Sequence, residues 1–319
     1  MIKTESKYYI YDKPKKINVK YIVKQIIYTI QNILYGLYMK TIFVNLGEKK
    51  YKVSICAIFK NEGKYLREWI EFHRIIGIEH FYLYNNNSDD NYETVIEDYI
   101  KLGIVTLIQW PKNQAQMEAY TDCIKKYAKE TTWLGFIDID EFVVPIKYDS
   151  IEEFLNQFRN RPSVKINWNV FGTSGLMDRE ADTLVVESFI VCWGKIDEVG
   201  KCFYNTAFGF EPNCLKNKTF HHNLWGTWKN HNLPPVNCFG HLCNGYERAD
   251  SGEFPIVINH YFTKSYQEYI DKAGKGDVYF ADNPHNLEYF YRHEKLCSKT
   301  DYHAYKYLIQ LKRAMEGFR

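Results

Sequence analysis

The sequence predicts an α/β protein with a Rossmann-like, mainly parallel central sheet flanked by helices. Three observations predict it. From Lys52 onward, short β-rich runs alternate with segments whose apolar residues recur at helical spacing. Polar loops follow the strands, first Asn61-Glu62, then Asn85 to Asp90, then Asp138 to Glu141. The third of these breaks an apolar run, Phe136-Ile137-Asp138-Ile139-Asp140-Glu141-Phe142, with three carboxylates. Such alternation implies parallel strands joined by helices, and ligands then gather beyond the carboxyl ends of the strands.

The elements follow in order. Lys13, Lys15, Lys16, Lys20 and Lys24 lead into a stretch where Ile22, Ile26, Ile30, Ile33, Leu34 and Leu37 recur at helical spacing, which reads as a basic amphipathic helix. Only fifteen residues separate Lys24 from Lys40, Thr29, Gln31, Asn32 and Gly36 among them, too short and too polar a run to span a bilayer. Two readings stay open for it: peripheral contact of residues 13–43 with an anionic membrane surface, or packing against the domain behind it. Val53 to Phe59 is the first strand, and Tyr65 to Ile76 a helix with Leu66, Trp69, Ile70 and His73 at helical spacing. Phe81 to Tyr84 is the second strand; its polar loop caps a helix over Tyr92 to Lys101. Ile104 to Gln109, closed by Trp110-Pro111, is the third strand, Gln116 to Lys129 a helix, and Trp133 to Ile139 the strand that delivers the acids. A tyrosine-rich tail ends in a helix over Tyr302 to Arg313; about 40 residues are too few to bury a core of their own. The expected organisation is therefore a basic segment over 1–50, a catalytic domain over 51–276, and a helical extension over 277–319 packed on it.

Composition narrows the function. Of 319 residues 45% are hydrophobic, enough for a substantial core, and 41 basic against 39 acidic residues leave no field that favours nucleic acid. Eight scattered cysteines without an apparent secretory leader lead us to expect reduced thiols and a cytoplasmic protein, held at the inner face of the cell membrane if the basic helix binds lipid. Cys238 and Cys243 lack the second pair that a zinc site needs.

The acidic run is the feature with chemistry. On an extended backbone Asp138 and Asp140 point the same way, and two hard oxygen ligands suit Mg²⁺ or Mn²⁺, whose other positions go to water and substrate phosphates. A solvated strand end is the competing reading. Lys264 supplies a charge for phosphate oxygens, and Lys272 and Lys275, beside Gly274 and Gly276, extend that cradle. Glu62, in the loop after the first strand, is a candidate nucleotide contact. Glu187, in Val185-Val186-Glu187-Ser188-Phe189, reads as an acid inside an apolar strand, costly unless used, and is the first candidate for a general base, with Asp182 next.

Several ordered pieces resemble glycosyltransferase family 92 and its bacterial relatives, GT-A enzymes allied to family 2. Cys56-Ala-Ile-Phe-Lys-Asn-Glu62 with Tyr65-Leu-Arg-Glu-Trp-Ile-Glu-Phe-His73 resembles the family's opening strand and helix; Gln116 to Cys123 resembles the helix before its metal strand, and Trp133 to Pro145 its D-x-D-E-F segment. Trp168-Asn-Val-Phe-Gly-Thr-Ser-Gly175 and Asn259-His-Tyr-Phe-Thr-Lys-Ser265 resemble two later landmarks. The resemblance implies a GT-A fold and metal-dependent, inverting transfer of a sugar from a nucleotide diphosphate, most often UDP-linked, to a glycan or lipid-linked saccharide in surface polysaccharide synthesis. It implies His260 as third metal ligand through the H-Y motif, and Lys201 facing the donor. It also aligns Asn85 with a carboxylate that binds uracil in family 2 relatives, with Asp90 close by. Two alternatives remain: a non-catalytic sugar- or nucleotide-binding protein of this fold, and a sugar nucleotidyltransferase. The latter usually has a glycine- and basic-rich loop after the first strand, which Ile58-Phe-Lys-Asn-Glu62 is not.

Overall fold

The computed structural model describes residues 18–210, 220–243, 253–274 and 286–317; Lys13, Lys15, Lys16 and Lys275 lie outside the described residues. It opens on helix α1 (Val19–Lys40), capped by the Asn18 side chain, which accepts the Tyr21 N–H at 2.9 Å. Then come β1 (Tyr51–Phe59), α2 (Gly63–Ile75), β2 (His80–Asn85), α3 (Tyr92–Lys101), β3 (Val105–Gln109), α4 (Gln116–Tyr127) and β4 (Thr131–Phe136), the alternation expected from the sequence. β1 runs parallel to β2 and β4, and β2 parallel to β3. Each face of β1 feeds its own core. Val53, Ile55, Ala57 and Phe59 pack with Leu66, Trp69 and Ile70 of α2, while Cys56 and Ile58 join Tyr120 and Cys123 of α4. Burial on both faces is why the strand reads as a near-continuous apolar run.

The chain continues through β5 (Glu141–Pro145), α5 (Ile151–Asn156), β6 (Ser163–Val170), α6 (Val185–Ser188), β7 (Val191–Trp193) and β8 (Gly200–Asn205). Three short strands, β9 (Gly209–Phe210), β10 (Gly226–Trp228) and β11 (His231–Leu233), form a separate small sheet. β12 (Val236–Asn237), β13 (Ile256–His260), α7 (Tyr266–Gly274), α8 (Leu287–Glu294), β14 (Cys297–Thr300) and α9 (Leu308–Glu316) complete it. Among the described residues the main sheet has nine strands in the order β3-β2-β1-β4-β8-β6-β13-β5, with β12 beside β6. β8 enters antiparallel between β4 and β6, β13 is parallel to β6, and β5 closes the edge antiparallel to β13. The result is a mainly parallel Rossmann-like sheet with helices packed on it.

Three local expectations are corrected. The strand expected to run to Ile139 ends at Phe136. The segment around Glu187 is a short helix, α6, not a strand. The tail is not wholly helical: β14 pairs antiparallel with β7, and α9 returns to α2, where Arg67 donates to the Met315 carbonyl at 2.6 Å.

Candidate active site

The site grows from the turn between β4 and β5. The last described pairing of β4 with β1 is Cys56 with Phe136, and the chain then reverses, the Glu141 N–H donating to the Asp138 carbonyl at 3.0 Å. Asp138 and Asp140 therefore sit in a turn rather than on an extended strand, and their carboxylates find different partners. Trp69 of α2 holds the turn, its indole N–H shared between the carbonyls of Asp138 at 3.0 Å and Glu141 at 2.8 Å.

Asp138 is committed within the protein. Its Oδ1 accepts from Tyr120 at 2.9 Å and Gln116 at 3.1 Å, both on α4, and its Oδ2 from Lys201 Nζ at 2.5 Å. Lys201 reaches it because Gly200 lets β8 approach β6 closely: a Cβ there would lie 1.9 Å from the Ile166 carbonyl oxygen. The Lys201 side chain is 1% exposed and also faces Glu141 at 3.3 Å. Burial disfavours its charge, but Asp138 and Glu141 prevail and hold the ammonium above its ordinary pKa. Burial likewise pushes the Glu141 carboxyl up to about 8, against the pull of Lys201. Glu141 further accepts the Asp138 N–H at 3.0 Å, which fixes the turn from inside.

Asp140 faces the other way. Its Oδ2 accepts from Lys272 of α7 at 2.6 Å, and its Oδ1 lies 3.7 Å from His260 Nε2. Burial opposes its charge, yet Lys272 and His260 hold it well below the usual carboxylate range. The sheet brings His260 here: as the last residue of β13 it is in register with Glu141 on one side and Val170 on the other. Burial lowers the imidazole pKa, with Asp140 opposing, so the neutral ring is favoured; Nδ1 is buried with no hydrogen-bond partner among the described residues. The Trp168 ring lies 4.6 Å from it, centroid to centroid.

Lys264 is buried with φ at +50°, a left-handed conformation unusual for a residue with a Cβ, and its Nζ stands 4.2 Å over the Tyr65 ring. Burial lowers its pKa, while Glu62 and Asp140 raise it; Glu62 likewise acts on Lys272. Glu62, Lys264 and Lys272 thus share one electrostatic neighbourhood with Asp140. The loops after β1 and β2 meet as the fold class implies: Asn61 donates its N–H to Ser88 at 2.9 Å and accepts from Asp89 at 2.9 Å.

Of the other expected residues, Asn85, Asp90 and Glu187 serve structure. Asn85 is buried with its amide committed to Tyr92 at 2.9 Å and Gln109 at 2.7 Å and its oxygen to the Ser88 N–H, so it holds its loop instead of offering an edge to a base. Asp90 accepts the Gly63 N–H at 2.7 Å, at the start of α2. Glu187 pairs with Lys312 of α9, and its carbonyl accepts from Tyr305 at 2.9 Å, which turns it toward the C-terminal helix rather than the acidic turn. Asp182 is exposed, in a loop that Arg179 ties to Glu268 at 3.2 Å, next to Tyr65 and Ser265. Sequence reasoning gave no role to Gln116 and Tyr120, whose four-residue spacing puts both on one face of α4, nor to His221 and His222. The latter pair lies with ring centroids 3.9 Å apart, tilted by 40°, beside Tyr120 and Trp168, and burial with Lys201 depresses His222 to about 3. A histidine doublet directly after Phe220 was the available signal.

Two donors here fit a divalent cation. Asp140 Oδ1 and a neutral His260 Nε2, 3.7 Å apart, have a separation that ligands of one ion can span at about 2.0–2.2 Å each. Asp138, expected to ligate beside Asp140, has both oxygens hydrogen-bonded. Among the described residues no three His, Cys, Asp or Glu side chains converge on one point, so the remaining positions of such an ion fall to water and phosphate.

Comparison with known proteins follows the same lines. The family model for glycosyltransferase family 92 matches residues 49–207. A glycosyltransferase family 92 protein of Ricinus communis is 28% identical over 232 residues, 71% of this chain and 38% of that one. The beta-1,4-galactosyltransferase galt-1 of Caenorhabditis elegans is 33% identical over 113 residues, 31% of this chain and 27% of that one. The chain thus spans less than two fifths of the length of these curated relatives. The crystal structure of S. aureus TarS 1-349 with UDP-GlcNAc overlaps loosely, with a TM-score of 0.37 at 14% identity over 64% of this chain and 60% of that one. From the matched span, the shared segments and the sheet that carries them, the chain belongs to glycosyltransferase family 92.

Proposed function

We propose that the chain transfers a sugar, with inversion, from a UDP-type nucleotide diphosphate donor to a saccharide or lipid-linked glycan acceptor in surface polysaccharide synthesis, and that it uses Mn²⁺ or Mg²⁺. The observation that carries this reading is the grouping of Asp140 and His260 with the buried ammonium of Lys264 and the half-buried one of Lys272. As the glycosidic bond breaks, the diphosphate gains negative charge, and fixed positive groups in a dry site stabilise that charge more than water does. Lys264 and Lys272 hold phosphate oxygens; Lys272 exchanges its Asp140 contact for the donor. A divalent ion on Asp140 and His260 supplies Lewis-acid charge when bound. Lys201 neutralises Asp138 and Glu141, so the turn keeps its form while donor enters and UDP leaves. On the acceptor side we assign Asp182 to take the hydroxyl proton as that oxygen attacks the anomeric carbon, because its loop is tied through Arg179 to the network beside Lys264. The name of the C. elegans relative makes galactose the first donor sugar to test.

A melting curve with UDP and Mn²⁺ tests the reading. Ligand at about 100 times its Kd adds about 2.7 kcal/mol to the native state, an upward shift of roughly 4 °C for a chain of this length. Chelator is expected to reduce that shift, and radiolabelled UDP-sugar to pass its label to a saccharide acceptor. No shift with any nucleoside diphosphate contradicts the proposal. A shift with no transfer to any acceptor favours a binding protein, and a response to nucleoside triphosphate alone favours a nucleotidyltransferase.

A further inference from the structure

Helix α1 sits on the domain with the usual polarity reversed. Its inner stripe is polar and aromatic: Tyr28 donates its hydroxyl to the Leu242 carbonyl at 2.7 Å, Tyr35 to that of Pro234 at 2.7 Å, and Asn32 accepts the Leu242 N–H at 2.7 Å. Met39 adds the apolar end of this stripe, buried with Ile42, Phe208 and Leu233. At about 100° per residue, the opposite stripe carries Ile22, Ile26, Ile30, Ile33, Leu34 and Leu37. Each is exposed, from 49% at Ile22 to 60% at Leu34, and Phe43 just beyond the helix is 87% exposed. Single exposed apolar residues are ordinary, but a continuous aliphatic stripe along a 22-residue helix marks an interaction surface.

Charge identifies the partner. The helix contains no aspartate or glutamate; on the same wheel Lys20 falls at one border of the aliphatic stripe and Lys40 at the other, with Lys24 exposed on the flank beyond Lys20, while Lys13, Lys15 and Lys16 precede the helix in the sequence. We propose that this stripe lies in the interfacial layer of an anionic lipid bilayer, the helix parallel to the surface and the lysines at headgroup level. No helix among the described residues is long and apolar enough to cross a membrane, so the helix lies on the bilayer rather than spanning it. Lipid fits better than a second copy of the chain. Two such helices face to face would bring lysines together with no acid of their own to offset them, whereas phospholipid headgroups neutralise them. The inference goes beyond the transfer reading and is independent of it, since lipid binding is measured without donor or acceptor.

The test is co-sedimentation of the full chain with phosphatidylcholine vesicles containing about 30% phosphatidylserine. Binding is expected, weaker on pure phosphatidylcholine and in high salt. The double variant Ile30→Asp, Leu34→Asp, with both changes on the exposed stripe, is expected to lose at least about tenfold in affinity while its melting temperature holds. Phe43→Trp is expected to show blue-shifted emission when vesicles are added, a readout that needs no destabilising change. Binding of the double variant within about twofold of the parent, or no emission shift in the Phe43→Trp variant, would overturn the proposal. So would a dimer that the double variant dissolves, in a chain that ignores vesicles.

Discussion

Asp140→Asn is expected to lower sugar transfer about a thousandfold while leaving the fold in place, the scale seen when one preorganised charge or donor is removed from an active site. The effect should be large because Asp140 joins both halves of the centre, accepting from Lys272 at 2.6 Å and lying 3.7 Å from His260. Asparagine has nearly the same shape but no charge to hold a divalent ion or to orient the Lys272 ammonium. The fold should survive because the Asp140 carbonyl still accepts the Tyr261 N–H at 2.8 Å. Steady-state transfer from a UDP-sugar, with circular dichroism on the same samples, measures both. Turnover within about threefold of the parent would remove Asp140 from the chemistry.

Lys201→Met is expected to act on stability as strongly as Asp140→Asn acts on rate. Methionine fills similar space but leaves the half-buried Asp138 carboxylate and the buried Glu141 without the Lys201 ammonium, and breaking a buried pair by removing one partner costs about 3–5 kcal/mol. For a chain of this length that is a fall in melting temperature of roughly 4–8 °C. Adding Asp138→Asn in the same chain should restore part of the loss, since it removes the carboxylate that Lys201 leaves stranded. Denaturant midpoints for parent, single and double variants read this directly. A midpoint for Lys201→Met equal to that of the parent contradicts the role given to Lys201.

Much of the fold was legible in the sequence, for a definite reason. Strands buried on both faces read as apolar runs, helices between them kept their period, and asparagine marked the loops, so β1 through β3 fall close to their expected bounds. The chemistry of the acidic run was legible, but its geometry was not. Asp-x-Asp reads alike in a strand and in a turn, and here the Asp138–Glu141 backbone hydrogen bond makes it a turn. Lys201 was expected to face the donor, and its pairing with Asp138 and Glu141 was not legible because those partners lie 60 residues or more away in the chain. Val185 to Ser188 misled because four residues are too few for periodicity to separate helix from strand. For α1 the period revealed an aliphatic stripe but not its direction, since tyrosine hydroxyls bonding to distant carbonyls leave no mark in the sequence.

The central claim is that Asp140 and His260, not Asp138, hold the ion that meets the donor diphosphate. Anomalous diffraction at the manganese edge from crystals grown with UDP and Mn²⁺ tests it most directly. The account predicts one manganese peak bonded to Asp140 and His260, with diphosphate oxygens on the ion and on Lys264 or Lys272, and Asp138 still paired with Lys201. A peak bonded to Asp138 with Lys201 displaced, or UDP bound away from this turn, would contradict it.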